Sequence, residues 1–233
     1  MDGAVNLLEW YLDFALASTA TSWSMEQVAT PEVVAIVERQ RGKCPGRLAY
    51  DIFHFEELGV PQTRHRLVAG SPYLISKLQR AREEQPRRGV QHVIAKPRST
   101  HLRGGTTTGR RRQKSRTKEG EAKFVYERVE WHETCFSVRG PAPTVLGRHA
   151  LVWVNPKTGW HAVLAIDELA ALQTFPPTYK WPTKKFQACL QIGNAVPPRV
   201  AELLLRPDTG SSVGSSAASV SGRVSPSLEL YPE

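Results

Sequence analysis

The chain has 233 residues, a formal net charge of +9, 40% hydrophobic residues and 8% aromatics; that length suits one large domain or one domain plus a smaller insert. No run approaches the ~18 apolar residues needed to cross a bilayer, and the first residues hold Asp2 and Glu9 without a basic stretch, so neither a membrane partner nor a signal peptide is expected. Three widely spaced cysteines, Cys44, Cys135 and Cys189, form no CxxC pair; this predicts no metal site and no disulfide framework, and a reducing intracellular compartment.

Residues Val5–Ala17 set Leu8, Tyr11, Leu12, Ala15 and Leu16 at helical spacing and predict an amphipathic, largely buried helix. Thr21–Val28 is short and mixed, and predicts a strand that terminates near Glu26. Pro31 suits the first turn of a helix over Glu32–Arg39, with Val33, Ile36 and Val37 on one face and Gly42 as its stop. Arg47–Phe55 alternates as a second strand, Glu56–Arg66 reads as a loop, Arg66–Ala69 as a third strand, and Pro72–Glu84 as a helix with a basic, polar outer face. Helices interleaved with short strands predict α/β architecture.

Composition shifts at Gln85. Arg110, Arg111, Arg112, Lys114, Arg116 and Lys118 fall in one run beside a Gly-Gly-Thr-Thr-Thr-Gly stretch. The run predicts a flexible cationic insertion that contacts a phosphate backbone, and the net charge points the same way. Strands over Phe124–Trp131 and Cys135–Val145 close the insert; Trp153–Val163 forms a hairpin, with turn signals at Asn155-Pro156 and Thr158-Gly159. Ala165–Gln173 is a helix stopped by Pro176-Pro177. Gln191-Ile-Gly-Asn-Ala-Val-Pro-Pro198 reads as a turn at Gly193 that enters a helix over Arg199–Leu205, with Asn194 placed either to cap that helix or to meet a ligand. Beyond Pro207 the chain is rich in Ser and Gly and poor in apolar residues, which predicts disorder.

Taken singly these motifs are ordinary. Glu26 is a solvated strand end. Alternation puts Gln62, Arg64 and Arg66 on one face of a basic extended segment. Pro141-Ala-Pro-Thr144 is a stiff turn, and Glu168-Leu-Ala-Ala-Leu-Gln-Thr-Phe-Pro176 a packing helix. Their order is specific. Glu-Gln-Val, Gln-x-Arg-x-Arg, a basic insert, Pro-x-Pro-Thr, Leu-Gln-x-Phe-Pro and Gln-Ile-Gly-Asn-Ala-Val-Pro-Pro together resemble the C-terminal part of the DNA cytosine-5 methyltransferases, over about residues 5–206.

The resemblance implies part of a Rossmann-like, S-adenosylmethionine-dependent methyltransferase sheet over residues 1–84 and a small, mostly β or irregular target-recognition insert over 85–150. It implies a return to the catalytic domain over 151–206, with 207–233 as the tail. Glu26 falls on the glutamate that holds a flipped cytosine at N3, Arg66 on the arginine at O2, and Arg64 on its companion near the backbone. Gly193, Asn194, Ala195 and Val196 fall in the motif that completes the cofactor pocket; Gln62, Arg110, Arg111, Arg112, Lys114 and Arg116 would face DNA. A base inside a duplex is out of reach, so such an enzyme flips it. A carboxyl group at N3 can share a proton, and a guanidinium at O2 is a fixed positive stabiliser.

The departures are as definite. No Pro-Cys-Gln precedes Glu26, and no Phe-x-Gly-x-Gly loop follows a strand. Gln27 replaces a usual Asn, Ala165 a usual Thr and Ala171 a usual Arg. The expectation is therefore a fragment or one half of a split enzyme, inactive alone and partnered by DNA and by a second chain carrying the missing motifs. The rivals are a catalytically dead DNA-binding regulator and an RNA-directed member of the family.

Overall fold

The computed structural model describes residues 2–107, 115–116, 122–123, 129–147 and 150–207. The expected strand start at Phe124 and the expected tail beyond residue 207 lie outside the described residues. Helix α1 (Asp2–Ala17) leads to strand β1 (Ser24–Gln27), α2 (Pro31–Lys43), β2 (Ala49–His54), a 3-10 turn (Phe55–Leu58), β3 (Gln62–Thr63), β4 (His65–Gly70) and α3 (Pro72–Glu84).

Strand β4 is the centre of the first sheet. It lies between β1 and β2 and runs antiparallel to both, so β1 and β2 run parallel to each other and α2 is the crossover between them. Three consecutive residues of β4, Leu67, Val68 and Ala69, are at most 1% exposed. A strand can bury consecutive side chains only when both faces of its sheet are covered. Leu67 and Ala69 pack with Leu8, Leu12, Leu16, Ile36 and Val37 of α1 and α2. Val68 points the other way, into a core with Ile75 and Leu78 of α3 and with Val200 and Leu203 of the last helix. The result is a three-layer α/β sandwich, and each of these Leu, Ile and Val side chains contributes roughly 1.5–3 kcal/mol by leaving water.

Some helix boundaries differ from expectation. Thr30 caps α2 by accepting from Val33 N at 3.4 Å, but Gly42 does not stop the helix, which runs to Lys43 and ends where Pro45 follows Cys44. Helix α1 buries one face only. Leu7, Trp10 and Phe14 stand 60–64% exposed on it, with Trp10 and Phe14 stacked at 5.7 Å.

The second sheet is antiparallel, in the order β11 (His161–Val163), β10 (Ala150–Val154), β5 (His101–Thr107), β8 (Val129–Ser137). The hairpin predicted from its turn residues is β10–β11, and it shares this sheet with β5 and β8. Two small pairings complete the strands: β6 (Ser115–Arg116) with β7 (Ala122–Lys123), and β3 in parallel with β9 (Ala142–Pro143). Helices α4 (Ile166–Leu172), α5 (Lys185–Asn194) and α6 (Pro198–Leu205) follow. A third core joins Leu102, Val145, Trp153, Leu164, Leu169, Leu172 and Ile192, so α4 and α5 hold the second sheet. No helix among the described residues is long and apolar enough to cross a membrane.

Candidate active site

Glu26 and Arg66 meet on the first sheet. Glu26 is the register partner of Val68 on β4, and Arg66 lies two residues before Val68 on the same face, so the two are diagonal neighbours. Arg66 Nε lies 3.0 Å from Glu26 Oε1, with the side chains 12% and 15% exposed. The contact is an ion pair rather than a well-directed hydrogen bond, and Glu26 Oε1 has no aligned donor. Arg66 Nη1 donates to its neighbour's carbonyl, His65 O, at 2.7 Å.

Arg64 enters the same cluster from below. Its Nη2 lies 3.6 Å from Glu26 Oε1, and Nη1 donates to Gly193 O at 3.0 Å and Val145 O at 3.3 Å. One side chain thus ties the Glu26 carboxylate to the backbone of Gly193. Burial pulls both guanidinium groups below their ordinary values; Arg66 adds to this at Arg64, and Glu26 opposes it at both. Arg64 Nε is buried without a partner.

Gln62 does not share the face of Arg64 and Arg66. The chain changes sheets between β3 and β4, at an Arg64 N–H to Gln62 C=O bond of 3.0 Å that closes a three-residue turn. Gln62 therefore points into the core, fully buried. Its Nε2 donates to Leu172 O at 2.9 Å and to Gln173 Oε1, and its Oε1 accepts from Val145 N at 2.9 Å. The expected contact of Gln62 with DNA is corrected: with no exposed surface and both ends of its amide satisfied, it is an internal staple. Gln173, also fully buried, passes the connection on by donating from Nε2 to Ala195 O at 2.7 Å.

The stretch Gln191–Pro198 is also corrected. Gln191–Asn194 is the last turn of α5 rather than a loop, and only Ala195–Pro197 links it to α6. Gly193 is helical; what it permits is a close approach, since a Cβ there would lie 2.1 Å from Gly147 N and 2.5 Å from Leu146 C. Asn194 and Val196 are exposed, whereas the carbonyls of Gly193 and Ala195 are taken by Arg64 and Gln173. The exposed residues of this segment are Gln191, Asn194 and Val196.

Sequence reasoning missed the supports. Thr144 Oγ1 donates to Thr63 O, which fastens the Pro-x-Pro-Thr segment beside the arginine motif. Thr174, with a left-handed φ of 67°, ends α4 and accepts from Arg199 N at 3.0 Å at the start of α6. At Ala165, where a side-chain cap is absent, Glu168 Oε2 accepts from Ala165 N at 2.7 Å instead. Of the expected DNA-facing cations, Arg110, Arg111, Arg112 and Lys114 lie outside the described residues, and Arg116 is described only as backbone of β6.

The segments that converge on Glu26, Arg64 and Gly193 are those whose order drew the resemblance, and the family model for C-5 cytosine-specific DNA methylase matches residues 47–207. The chain belongs to this DNA methylase family. Among curated relatives it is similar to the type II methyltransferase M.BbvI of Brevibacillus brevis, 26% identical over 190 residues, which cover 70% of this chain and 49% of the relative. It is also similar to the type II methyltransferase M.AgeI of Thalassovita gelatinovora, 34% identical over 100 residues, covering 42% of this chain and 21% of that protein. The chain thus spans about half the length of the first relative and a fifth of the second. In fold it is similar to a crystal structure of a prophage-encoded E. coli protein assigned as a DNA modification methyltransferase. The TM-score is 0.53 at 15% identity, with coverage of 87% of this chain and 73% of the other. That likeness is one of fold, a mixed α/β architecture.

Proposed function

We propose that these residues form the base-clamping and cofactor-closing part of an S-adenosylmethionine-dependent DNA cytosine-5 methyltransferase. The observation that carries the reading is the buried cluster of Glu26, Arg66 and Arg64, in which Glu26 Oε1 lies 3.0 Å from Arg66 Nε yet has no aligned donor. Cytosine presents N3 and O2 as neighbouring atoms on one edge. A carboxyl group beside a guanidinium matches that pair: Glu26 shares a proton with N3, and Arg66 holds the charge that develops at O2. Arg64 is the positioning residue. It touches Glu26 on one side and the Gly193 carbonyl on the other, so it sets the base clamp relative to the cofactor segment.

The exposed Asn194 and Val196 suit one wall of a cofactor site, one polar and one apolar. When bound, S-adenosylmethionine supplies the methyl group. The thiolate that would attack cytosine C6 is not supplied by these residues, since no Pro-Cys-Gln occurs among them. Cys189 is poorly suited, because burial pushes its thiol pKa up, away from the thiolate a nucleophile needs. The reading therefore assigns the cysteine and the Gly-rich loop to polypeptide outside these 233 residues, whether of the same protein or of a second chain. The apolar face of Leu7, Trp10 and Phe14 and the edge of β1, which pairs only with β4 among the described residues, support a covering partner. Target recognition falls to residues 85–150, with duplex DNA as substrate.

A tritiated-methyl incorporation assay on unmethylated duplex DNA tests this. The 233-residue chain alone is expected to transfer nothing, and a chain carrying Pro-Cys-Gln and the Gly-rich loop is expected to restore turnover. In that restored enzyme Arg66→Ala is expected to lower kcat by about 10²–10³-fold. Turnover by the isolated chain would overturn the assignment of the nucleophile. DNA binding without restored turnover would favour a regulatory homologue.

A further inference from the structure

A second cluster of chemistry lies at the other end of the pairing between β2 and β4. His54 ends β2, His65 begins β4, and the two are register partners across the strands. Glu56, in the 3-10 turn that follows His54, reaches both. His54 Nδ1 lies 3.8 Å and His65 Nε2 3.6 Å from Glu56 Oε1. The three donor atoms all fall within 4.8 Å of one another, and the imidazole centroids are 3.8 Å apart.

The burial is uneven in an informative way. The imidazoles are 45% and 48% exposed, but the Glu56 side chain is only 9% exposed and its Oε2 has no hydrogen-bond partner. A buried carboxylate without donors is costly. The imidazoles do not relieve it directly, because 3.6 and 3.8 Å exceed hydrogen-bond length. Those separations suit something between the groups. Ligands about 2.0–2.1 Å from a tetrahedral ion lie roughly 3.3 Å apart, so each imidazole needs to close only a few tenths of an ångström on Glu56 Oε1, and rotation of the two exposed rings has to bring their nitrogens together from at most 4.8 Å. Two imidazole nitrogens and one carboxylate oxygen select a borderline transition ion over calcium or magnesium.

We propose that His54, Glu56 and His65 form a divalent transition-metal site that staples the ends of β2 and β4 to the intervening turn. Three protein ligands leave a coordination position for water. His54 also lines an open cleft of about 440 Å³ with Glu57, Arg82 and Gln85, so an ion reaches the site from solvent. The staple would fix the His65 carbonyl that Arg66 Nη1 grips, but the site stands apart from the chemistry assigned to Glu26 and does not depend on it.

The test uses the untagged 233-residue chain, stripped of metal and titrated with Zn²⁺ by calorimetry and with Co²⁺ by visible absorption. One equivalent of either ion is expected to bind. His54→Ala and His65→Ala are each expected to weaken binding at least about tenfold, and the double variant to lose the Co²⁺ band. Glu56→Gln keeps the side-chain volume but removes the anionic ligand, and is expected to weaken binding likewise. At a hundredfold excess of Zn²⁺ over its Kd, wild-type Tm is expected to rise by roughly 5–10 °C, with no rise in the double variant. Because both imidazoles are about half exposed, the metal-free Tm of the histidine variants should match wild type, which separates lost ligation from lost folding. The proposal is overturned if the double variant and Glu56→Gln bind Zn²⁺ as tightly as wild type, or if wild type takes up no stoichiometric ion.

Discussion

Gln62 shows what a single buried amide can do. It holds Val145, Leu172 and Gln173 together through three hydrogen bonds, and each partner left unsatisfied in the core costs about 1–3 kcal/mol. Gln62→Ala is therefore expected to lower stability by about 3–5 kcal/mol, read as a shift in the denaturant midpoint. A DNA-contacting Gln62 would give the opposite pattern, with weakened DNA binding at unchanged stability. The residue types at the site were legible in the sequence: Glu26, Arg64 and Arg66 stand in an order that few other chemistries require, and they converge in space. The direction of Gln62 was not, because alternation holds along one strand and the chain leaves β3 for β4 between Gln62 and Arg66. The pairing of His54 with His65 was hidden for a related reason. It depends on cross-strand register, and residues 56–66 read as a loop until β4 is placed against β2.

At the scale of elements, α3 and the β10–β11 hairpin follow from local signals, since proline, apolar spacing and turn residues act over a few positions. Elements set by distant backbone were misread, and α2 and α5 make the contrast measurable. Both carry a glycine inside the helix, Gly42 near the end of α2 and Gly193 near the end of α5. Nothing lies within 4 Å of a Cβ added at Gly42, whereas one added at Gly193 would strike the backbone of Leu146 and Gly147. Helix propensity favours alanine by about 1 kcal/mol at both positions. Gly42→Ala should therefore raise Tm by roughly 2–4 °C. Gly193→Ala should lower it, because overpacking against backbone that cannot rotate away costs about 1–3 kcal/mol or more. A thermal melt of each variant decides the matter, and a raised Tm for Gly193→Ala would show that the Leu146–Gly147 crossing yields. In the sequence Gly193 looked like a turn because glycine, asparagine and two prolines cluster there. The crossing segment that requires it lies more than 40 residues earlier in the chain.

At the scale of the whole molecule, charge separates the two tasks assigned to the chain. Arg110, Arg111 and Arg112 are three of the chain's 31 Lys and Arg residues, and neutralising them would lower its net charge from +9 to about +6. If they neutralise DNA phosphates, they act through counterion release, and each contact adds about 0.9 to the slope of log K against log salt concentration. Replacing all three with glutamine is expected to reduce the magnitude of that slope by roughly 2.7 and to weaken duplex binding at low salt much more than at high salt. Fluorescence anisotropy across a salt series on one labelled duplex reads both quantities. An unchanged slope would remove the basic run from the DNA contact and shift recognition to the folded sheet of β5, β8, β10 and β11. A reduced slope with equal loss on unrelated duplexes would make the run a sequence-independent anchor, and base readout would then belong to that sheet, since phosphate contacts position a protein on DNA without identifying the bases.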